Sequence, residues 1–253
     1  MKTIQKITLS LLAVVATSSL SAAFDLTIDV AAGSATHSAN INAGTVNKTG
    51  AGELVLQGAD NSALGNLTIS AGSLEVETNA GAMPAIVTFD GGSAFQVDVA
   101  AATIPSLVMT QAGQLEVTAL ASAAALTALS GAAKVTVVGS GRLNPGALGA
   151  STTPMDISGI VNVGTSGHAL PNSAVTVLNS GLLDIQGVVA NSMPGTNVVN
   201  SGATLQVDDA LAIPAAGPAA TDFFGTLQFN SGSTLKLGNA AVWARAITVG
   251  TAL

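Results

Sequence analysis

The carboxylates are the first side chains here with types and spacing suited to chemistry. Asp208-Asp209 is the one adjacent acidic pair in the chain. Such a pair suits general acid–base hydrolysis of a sugar linkage or oxygen ligation of Ca²⁺. A glycosidase needs two carboxyl groups placed across a sugar. Asp208-Asp209 instead follows the alternating run Leu205-Gln206-Val207, so one carboxylate is expected to face outward and the other to be exposed in the turn. His37 and His168 lie in Ser/Thr/Gly-rich stretches, with no second His at ligand spacing and no Cys in the chain. Zinc sites and Ser-His-Asp triads therefore lack partners, and both histidines read as solvated loop residues. The Asp90-Gly91-Gly92 run does not continue as a calcium nonapeptide, and neither a phosphate loop nor a dinucleotide fingerprint is present. The expectation is a non-enzyme with no cofactor and no metal.

Thr68, Thr88, Thr136 and Thr176 each sit between two apolar residues that read as inward-facing. They would form one outward ladder, the type of array that orders water in ice-binding solenoids. With one such threonine per unit, strand propensity on an exposed face accounts for them.

Those residues must be positioned by something, and composition narrows the choice. The chain is 48% apolar, with 28 Gly, 8% charged residues, 3% aromatics and no Tyr. That apolar content excludes disorder, and the shortage of aromatics excludes a transmembrane barrel with aromatic girdles. Val117–Ala133 is free of acidic and basic residues but rich in Ala, Ser and Thr, a weak membrane candidate.

Residues 1–23 read as a signal peptide. Lys2 and Lys6 supply the positive start, ITLSLLAVVA the apolar region, and Ser21-Ala22-Ala23 the small residues before a cut at Phe24. The apolar run falls short of the about 20 residues a bilayer crossing needs. The remaining chain, 24–253, keeps Lys48, Lys134, Arg142, Lys236 and Arg245 against 14 carboxylates. So acidic a surface repels nucleic acid and lacks the basic cluster that anionic lipid requires. No transmembrane span is expected in the mature chain. An exported protein without Cys needs a core large enough to stand without disulfides, or a reason to stay unlinked while crossing a second pore.

A fragment of the form Gly-x-Leu-x-Val keeps returning. Gly52 leads into ELVL, Gly72 into SLEV, Gly92 into SAFQV, Gly113 into QLEV and Gly131 into AAKVTV. Later Gly181 leads into LLDI, Gly202 into ATLQV and Gly232 into STLKL, with Gly159-Ile-Val-Asn-Val163 between the two groups. The first spacings are 20, 20, 21 and 18 residues. Pro84, Pro105 and Pro194 each stand eight residues before a glycine of the series, and Pro171 stands ten before Gly181. Between proline and glycine lies a short alternating run, as in Ile86–Phe89, Leu107–Met109 and Val175–Val177.

A period near 20 built from short alternating strands predicts an all-β fold, a single-stranded right-handed parallel β-helix (β-solenoid). Leu54, Leu56, Leu74, Val76, Leu115, Val117, Leu235 and Leu237 would point inward as a ladder, with Glu75, Glu116 and Lys236 outward. One unit cannot bury its own apolar side, so successive coils must stack in parallel about 4.8 Å apart. Residues 24–253 would make about ten to eleven coils and a rod on the order of 50 Å long. Glycine at each corner supplies the positive φ that tight turns demand. Two stretches, Leu143–Ile157 and Ala212–Gly225, carry Pro and Gly out of period and read as loops projecting from the rod. Leu120–Leu129 is Ala-rich but holds the register of a strand, and is expected to be an irregular rung.

The stretch Lys48 to Val76 resembles the autotransporter-associated β-strand repeat of bacterial passenger domains. Lys48, Gly50, Gly52, Leu54 and Leu56 match its first half, Gly58, Ala59 and Asn61 its middle, and Thr68, Ala71, Gly72, Leu74 and Val76 its end. The match covers about thirty residues. Elsewhere only the Gly-x-Leu-x-Val core persists, and Asn61–Leu64 stands where the family carries an aromatic residue. The resemblance implies a parallel β-helix displayed on a Gram-negative cell surface as a stalk or adhesin; with no translocator barrel in the sequence to Leu253, the chain is expected to be a fragment, a stand-alone relative, or exported by another route.

The functional expectation is an exported, non-catalytic structural or adhesive element. Its partners would be surface proteins or carbohydrates of a host or the environment. The alternatives are a carbohydrate-active β-helix enzyme, which predicts clustered carboxylates in one groove, and a self-assembling fibre or sheath subunit. The strand-like Ala246–Val249 near the C-terminal end would then pair with further coils of the same or another chain.

Overall fold

The structure is a computed structural model. It describes residues 25–250 apart from 42, 59–63, 78–82, 92, 100–101, 105, 119–123, 165–166 and 215–222. Every strand pair within it is parallel, and consecutive turns of the chain stack into a β-solenoid. The alternation seen in the sequence is the cause. In Ser73–Glu77 the residues Leu74 and Val76 are buried while Ser73, Glu75 and Glu77 are half exposed, and Asn66–Ile69 and Thr204–Val207 repeat the pattern.

Among the described residues the coils carry three faces, of which only one runs the full length. A leading face of six strands begins at Asp25–Asp29 and ends at Leu129–Gly131. A long face of eleven strands runs from Ser34–His37 to Thr248–Gly250. A trailing face of seven strands begins at Thr103–Ile104 and ends at Thr234–Leu237. A short pair, Ala212–Ile213 with Val242–Trp243, completes the last coils. Among the described residues, the leading face thus ends and the trailing face begins around the middle, while the long face is continuous.

This exchange revises the single glycine series. Gly52, Gly72 and Gly113 mark the corner between leading and long faces, because Glu53, Ser73 and Gln114 each continue into long-face strands. Gly181, Gly202 and Gly232 mark the next corner, before the trailing strands Leu182–Ile185, Thr204–Val207 and Thr234–Leu237. Gly131 is not a corner residue. It closes the last leading strand in register with Met109 and Phe89, and is itself exposed. Gly92 lies outside the described residues; its neighbour Ser93 is buried and donates to the Ile69 carbonyl (3.1 Å).

Leu54, Leu56, Leu74, Val76, Leu115 and Val117 lie on the long face, all buried and in register with Phe95 and Val97. Leu235 and Leu237 belong to the trailing face. Leu235 packs against the core, but Leu237 keeps 44% of its surface exposed. It shares the row of Ile185 and Val207, and no described strand pairs with the far side of its own.

Neither Leu143–Ile157 nor Ala212–Gly225 is wholly a projecting loop. Arg142–Pro145 and Met155–Ile157 are strands of the trailing and long faces, joined through a 3₁₀ turn at Leu148–Ala150. Ala212–Ile213 is a strand and Phe224 begins another, while 215–222 lie outside the described residues. Pro145 and Pro154 are accommodated without a break. Pro145 ends its strand, and the Pro154 carbonyl still accepts from Val135 N–H (3.0 Å). Within Leu120–Leu129, Ala124–Leu126 and Leu129 are in strands. Pro194 stands inside Met193–Val199, where the pairing shifts register between Met193 and Thr196. A bulge there removes the need for the missing donor. No helix among the described residues is long and apolar enough to cross a membrane.

Candidate functional site

The outward row of the trailing face runs Asn144, Asn162, Asp184, Gln206, Lys236, one residue from each successive strand. Each is the residue between the two inward apolar positions of its unit, so each would ordinarily be solvated. Two are not: Asn162 is buried, and Asp184 is 1% exposed. Arg142 explains part of this. Its Nη1 donates to Asn162 Oδ1 (3.1 Å) and reaches Asp184 Oδ2 (2.8 Å), spanning two coils. Asn162 Nδ2 donates to Asn144 Oδ1 (2.9 Å), and Gln206 Nε2 donates to Asp184 Oδ1 (3.2 Å). Lys236 Nζ donates to Gln206 Oε1 (3.0 Å). A hydrogen-bonded chain therefore ties five coils along the rod axis. A buried carboxylate bonded this completely is tolerable, whereas an unpaired one would not be.

The same Gln206 Nε2 lies 3.5 Å from Asp208 Oδ1. Burial, and then the charge of Asp184, raise the Asp208 pKa from its ordinary value, against the opposing pull of Gln206 and Arg142. The acidic pair that matters is thus Asp184 with Asp208, not Asp208 with Asp209. Asp209 turns away and accepts the Asn239 backbone N–H (2.6 Å). Alignment of the third strand residue in the units LLDI, TLQV and TLKL would have placed Asp184 beside Gln206 and Lys236.

A second acidic group lies on the outer side of the long face. Glu75, Glu77 and Asp98 bring ligand oxygens within 4.8 Å of one another. Gln96 Nε2 donates to Glu75 (2.6 Å), Gln57 Nε2 to Glu77 (2.6 Å) and Thr118 Oγ1 to Asp98. Burial first, then the charges of Glu53, Glu77 and Asp98, raise the Glu75 pKa. Three half-buried carboxylates at that spacing have the oxygen chemistry that Ca²⁺ takes. Sequence reading placed Glu75 outward but did not bring Asp98 to it, since the two are joined only through coil register.

Lys48 is the third unusual group. Strand alternation places it on an inward row, between Ile28 and Ile69, and it is 0% exposed. Its ammonium turns to the corner, donating to the carbonyls of Gly50 (2.7 Å), Gly52 and Ala71 (2.8 Å). Three donors meet three carbonyls from two coils. Burial lowers its pKa, opposed by the charges of Asp29 and Glu53.

His37 is not in a loop. It ends the strand Ser34–His37 in register with Leu56, with Nε2 buried and without a hydrogen-bond partner, and burial lowers its pKa. His168 lies in the connection after Ile160–Val163, where its carbonyl accepts from Gly164 N–H (3.4 Å). The four threonines do not form one ladder. Thr68 and Thr88 follow Asn47 on the leading face, whereas Thr136 and Thr176 flank Asp156 on the long face. Hydroxyls on the leading face are tied to the preceding coil, as in Thr49 to Asp29 (3.1 Å) and Thr88 to Asn66 (3.1 Å). Beyond the carboxylate groups, a groove of about 320 Å³ lies between the last leading strand and the 3₁₀ turn, lined by Leu129, Ser130, Gly131, Leu148 and Ser151.

Comparison of the chain with family models, curated proteins and solved structures gives no match.

Proposed function

We propose that this chain is an exported, non-catalytic structural or adhesive rod, displayed at a Gram-negative cell surface and built like an autotransporter passenger segment. The observation that supports it best is the long face. Eleven parallel strands lie on one continuous apolar core, the architecture of an extended scaffold rather than of a chambered enzyme. The Lys48 contacts give the K-x-G-x-G motif of the resemblance a physical reason, since the lysine needs the carbonyls of both glycines.

The carboxylates favour the non-catalytic reading. Asp184 is buried and bound by Arg142, so it cannot meet a sugar together with Asp208. Glu75, Glu77 and Asp98 are each engaged by a side chain of this same chain. Partners are then surface proteins or carbohydrates met by the outward polar rows.

One observation favours assembly as a second reading. Leu237, Val242, Ile247 and Val249 are all exposed on the last described coils, an apolar edge that further parallel coils would cover.

The test is expression of the full chain with a C-terminal tag in a Gram-negative host. Cell fractionation, external protease and N-terminal sequencing would follow. Processing near Phe24 with protease-accessible material outside the inner membrane is the expected result. Unprocessed cytoplasmic protein would overturn the reading. Light scattering of the purified chain separates single rods from filaments, and release of reducing ends from polysaccharides would overturn the non-catalytic reading.

A further inference from the structure

Asp184 and Asp208 belong to successive coils whose trailing strands, Leu182–Ile185 and Thr204–Val207, are paired in register. Both carboxylates share a single amide donor, Gln206 Nε2, at 3.2 and 3.5 Å. We propose that this contact is a proton-operated clasp between coils, fastened by acidification and loosened at neutral pH.

The charges facing the pair come from every neighbouring strand. Arg142, from Arg142–Pro145, bridges Asp184 at 2.8 Å. Gln186, just past the Asp184 strand, adds a weak donor to Asp184 Oδ2 (3.4 Å). Asn162 is a neutral amide, engaged by Arg142 and by Asn144. Lys236, from Thr234–Leu237, spends its hydrogen bond on Gln206 Oε1 and leaves the carboxylates alone. Asp209 is held by the Asn239 N–H. With both carboxylates ionised, one guanidinium faces two negative charges in a site where one of them is almost fully buried. Like charges so placed repel, and that repulsion works against the backbone hydrogen bond from Asp208 N–H to the Ile185 carbonyl (3.0 Å) that joins the two coils.

A proton on Asp208 changes the balance. Its O–H donates to the Asp184 carboxylate, replacing repulsion with a charge-assisted hydrogen bond, while Arg142 keeps its ion pair. Proton affinity at Asp208 is higher in the folded chain than in the unfolded one. From the folded pKa of Asp208 down to about 3.9, the folded state therefore holds more protons than the unfolded, and stability rises as pH falls. That is opposite in sign to an ordinary salt-bridged aspartate.

The experiment compares the wild-type chain with Asp208→Asn by amide hydrogen exchange in Leu205–Val207 and by thermal unfolding, from about pH 4 to about pH 7.5. After correction for intrinsic exchange rates, wild-type protection is expected to rise on acidification. The variant should match or exceed the wild type at neutral pH and show a smaller rise, with only the share due to other raised carboxylates such as Glu75 remaining, and Asp209→Asn should keep the wild-type pH dependence. Parallel pH curves for wild type and Asp208→Asn would overturn the clasp. The carboxyl carbon of Asp208 can be titrated by NMR in the wild-type chain, which decides the matter even if the variant fails to fold. A midpoint above the usual aspartate range is expected, and one at or below it would overturn the proposal.

Discussion

The Lys48 ammonium occupies the space that a side chain on Gly72 would need. A Cβ built on Gly72 would fall 2.5 Å from Lys48 Nζ and 2.2 Å from the Gly52 carbonyl oxygen, and Gly72 itself has φ +67°. The lysine and the glycine one coil later are therefore a single device. The corner backbone converges on the ammonium, and only a residue without Cβ lets the next coil approach so closely.

The first prediction follows from that contact. Lys48→Met keeps most of the apolar stem on its inward row but takes the ammonium donor from the carbonyls of Gly50, Gly52 and Ala71, of which Gly52 retains only the Ser73 N–H (3.3 Å). It is expected to destabilise the chain by about 3 kcal/mol, the scale of a buried charge network broken on one side. Gly72→Ala should cost about 2–4 kcal/mol, from the left-handed backbone and the carbonyl contact together. Urea unfolding of both variants and the double mutant checks this. A double mutant no worse than the more damaging single would show that the two act as a unit, and additive losses would show that they do not.

Glu75 carries the second prediction. Burial and the neighbouring charges of Glu53, Glu77 and Asp98 raise its pKa, so ionised Glu75 is a destabilising group at neutral pH. Glu75→Gln keeps the shape and a partner for Gln96, and is expected to raise stability at neutral pH by no more than about 0.5 kcal/mol, since solvent screens a half-exposed carboxylate. The gain should shrink as pH falls through the folded pKa of Glu75 and vanish below about 4.3, where the unfolded state is protonated as well. Denaturant midpoints of the two proteins across that window test it, and a gain constant with pH would refute the assignment.

A third prediction concerns the core. Phe95 is fully buried on the long face, in register with Leu74 before it and Leu115 after it. Phe95→Ala removes an aromatic ring from a stack that cannot collapse, because each coil is held at its spacing by backbone ladders on both sides. The expected loss is about 3–5 kcal/mol. Amide exchange would show it concentrated in the adjoining coils, since each coil touches only its neighbours. A uniform loss of protection along the rod would contradict nearest-neighbour coupling.

How much of this was legible in the sequence depends on the face. The inward rows of the long face, Leu54 with Leu74 and Leu115, follow from alternation at a period near 20 and need nothing else. The division into two glycine corners was hidden for a physical reason. Any strand entering a tight turn and then an apolar core will read Gly-x-Leu-x-Val, whichever face it belongs to, so Gly113 and Gly181 look alike while opening different faces. Asp184 and Asp208 were hidden for another. Their meeting depends on coil register, and the unit lengths vary, so no fixed spacing announces it. Lys48 was visible inside T-V-N-K-T at an inward position, but only the structure shows its ammonium turning to the corner.

The last prediction uses a one-residue slip within the second glycine corner. Because Leu182 pairs with Thr204 and Thr204 with Thr234, the residue stacked with Gly202 and Gly232 is Ser180 rather than Gly181. All three take the left-handed conformation, with φ of +66° at Ser180, +74° at Gly202 and +82° at Gly232. A serine there bears a steric cost of about 1–2 kcal/mol that glycine avoids, partly offset by the greater freedom glycine has when unfolded. Ser180→Gly is therefore expected to stabilise the chain by about 0.5–1 kcal/mol. The reverse change, Gly202→Ser, should be the more costly of the two, since its Cβ would lie 2.1 Å from Asn179 Oδ1 and force that side chain aside. Thermal unfolding of the two single variants decides it. Destabilisation by Ser180→Gly would mean that the hydroxyl at this corner makes a contact worth more than the backbone strain it imposes.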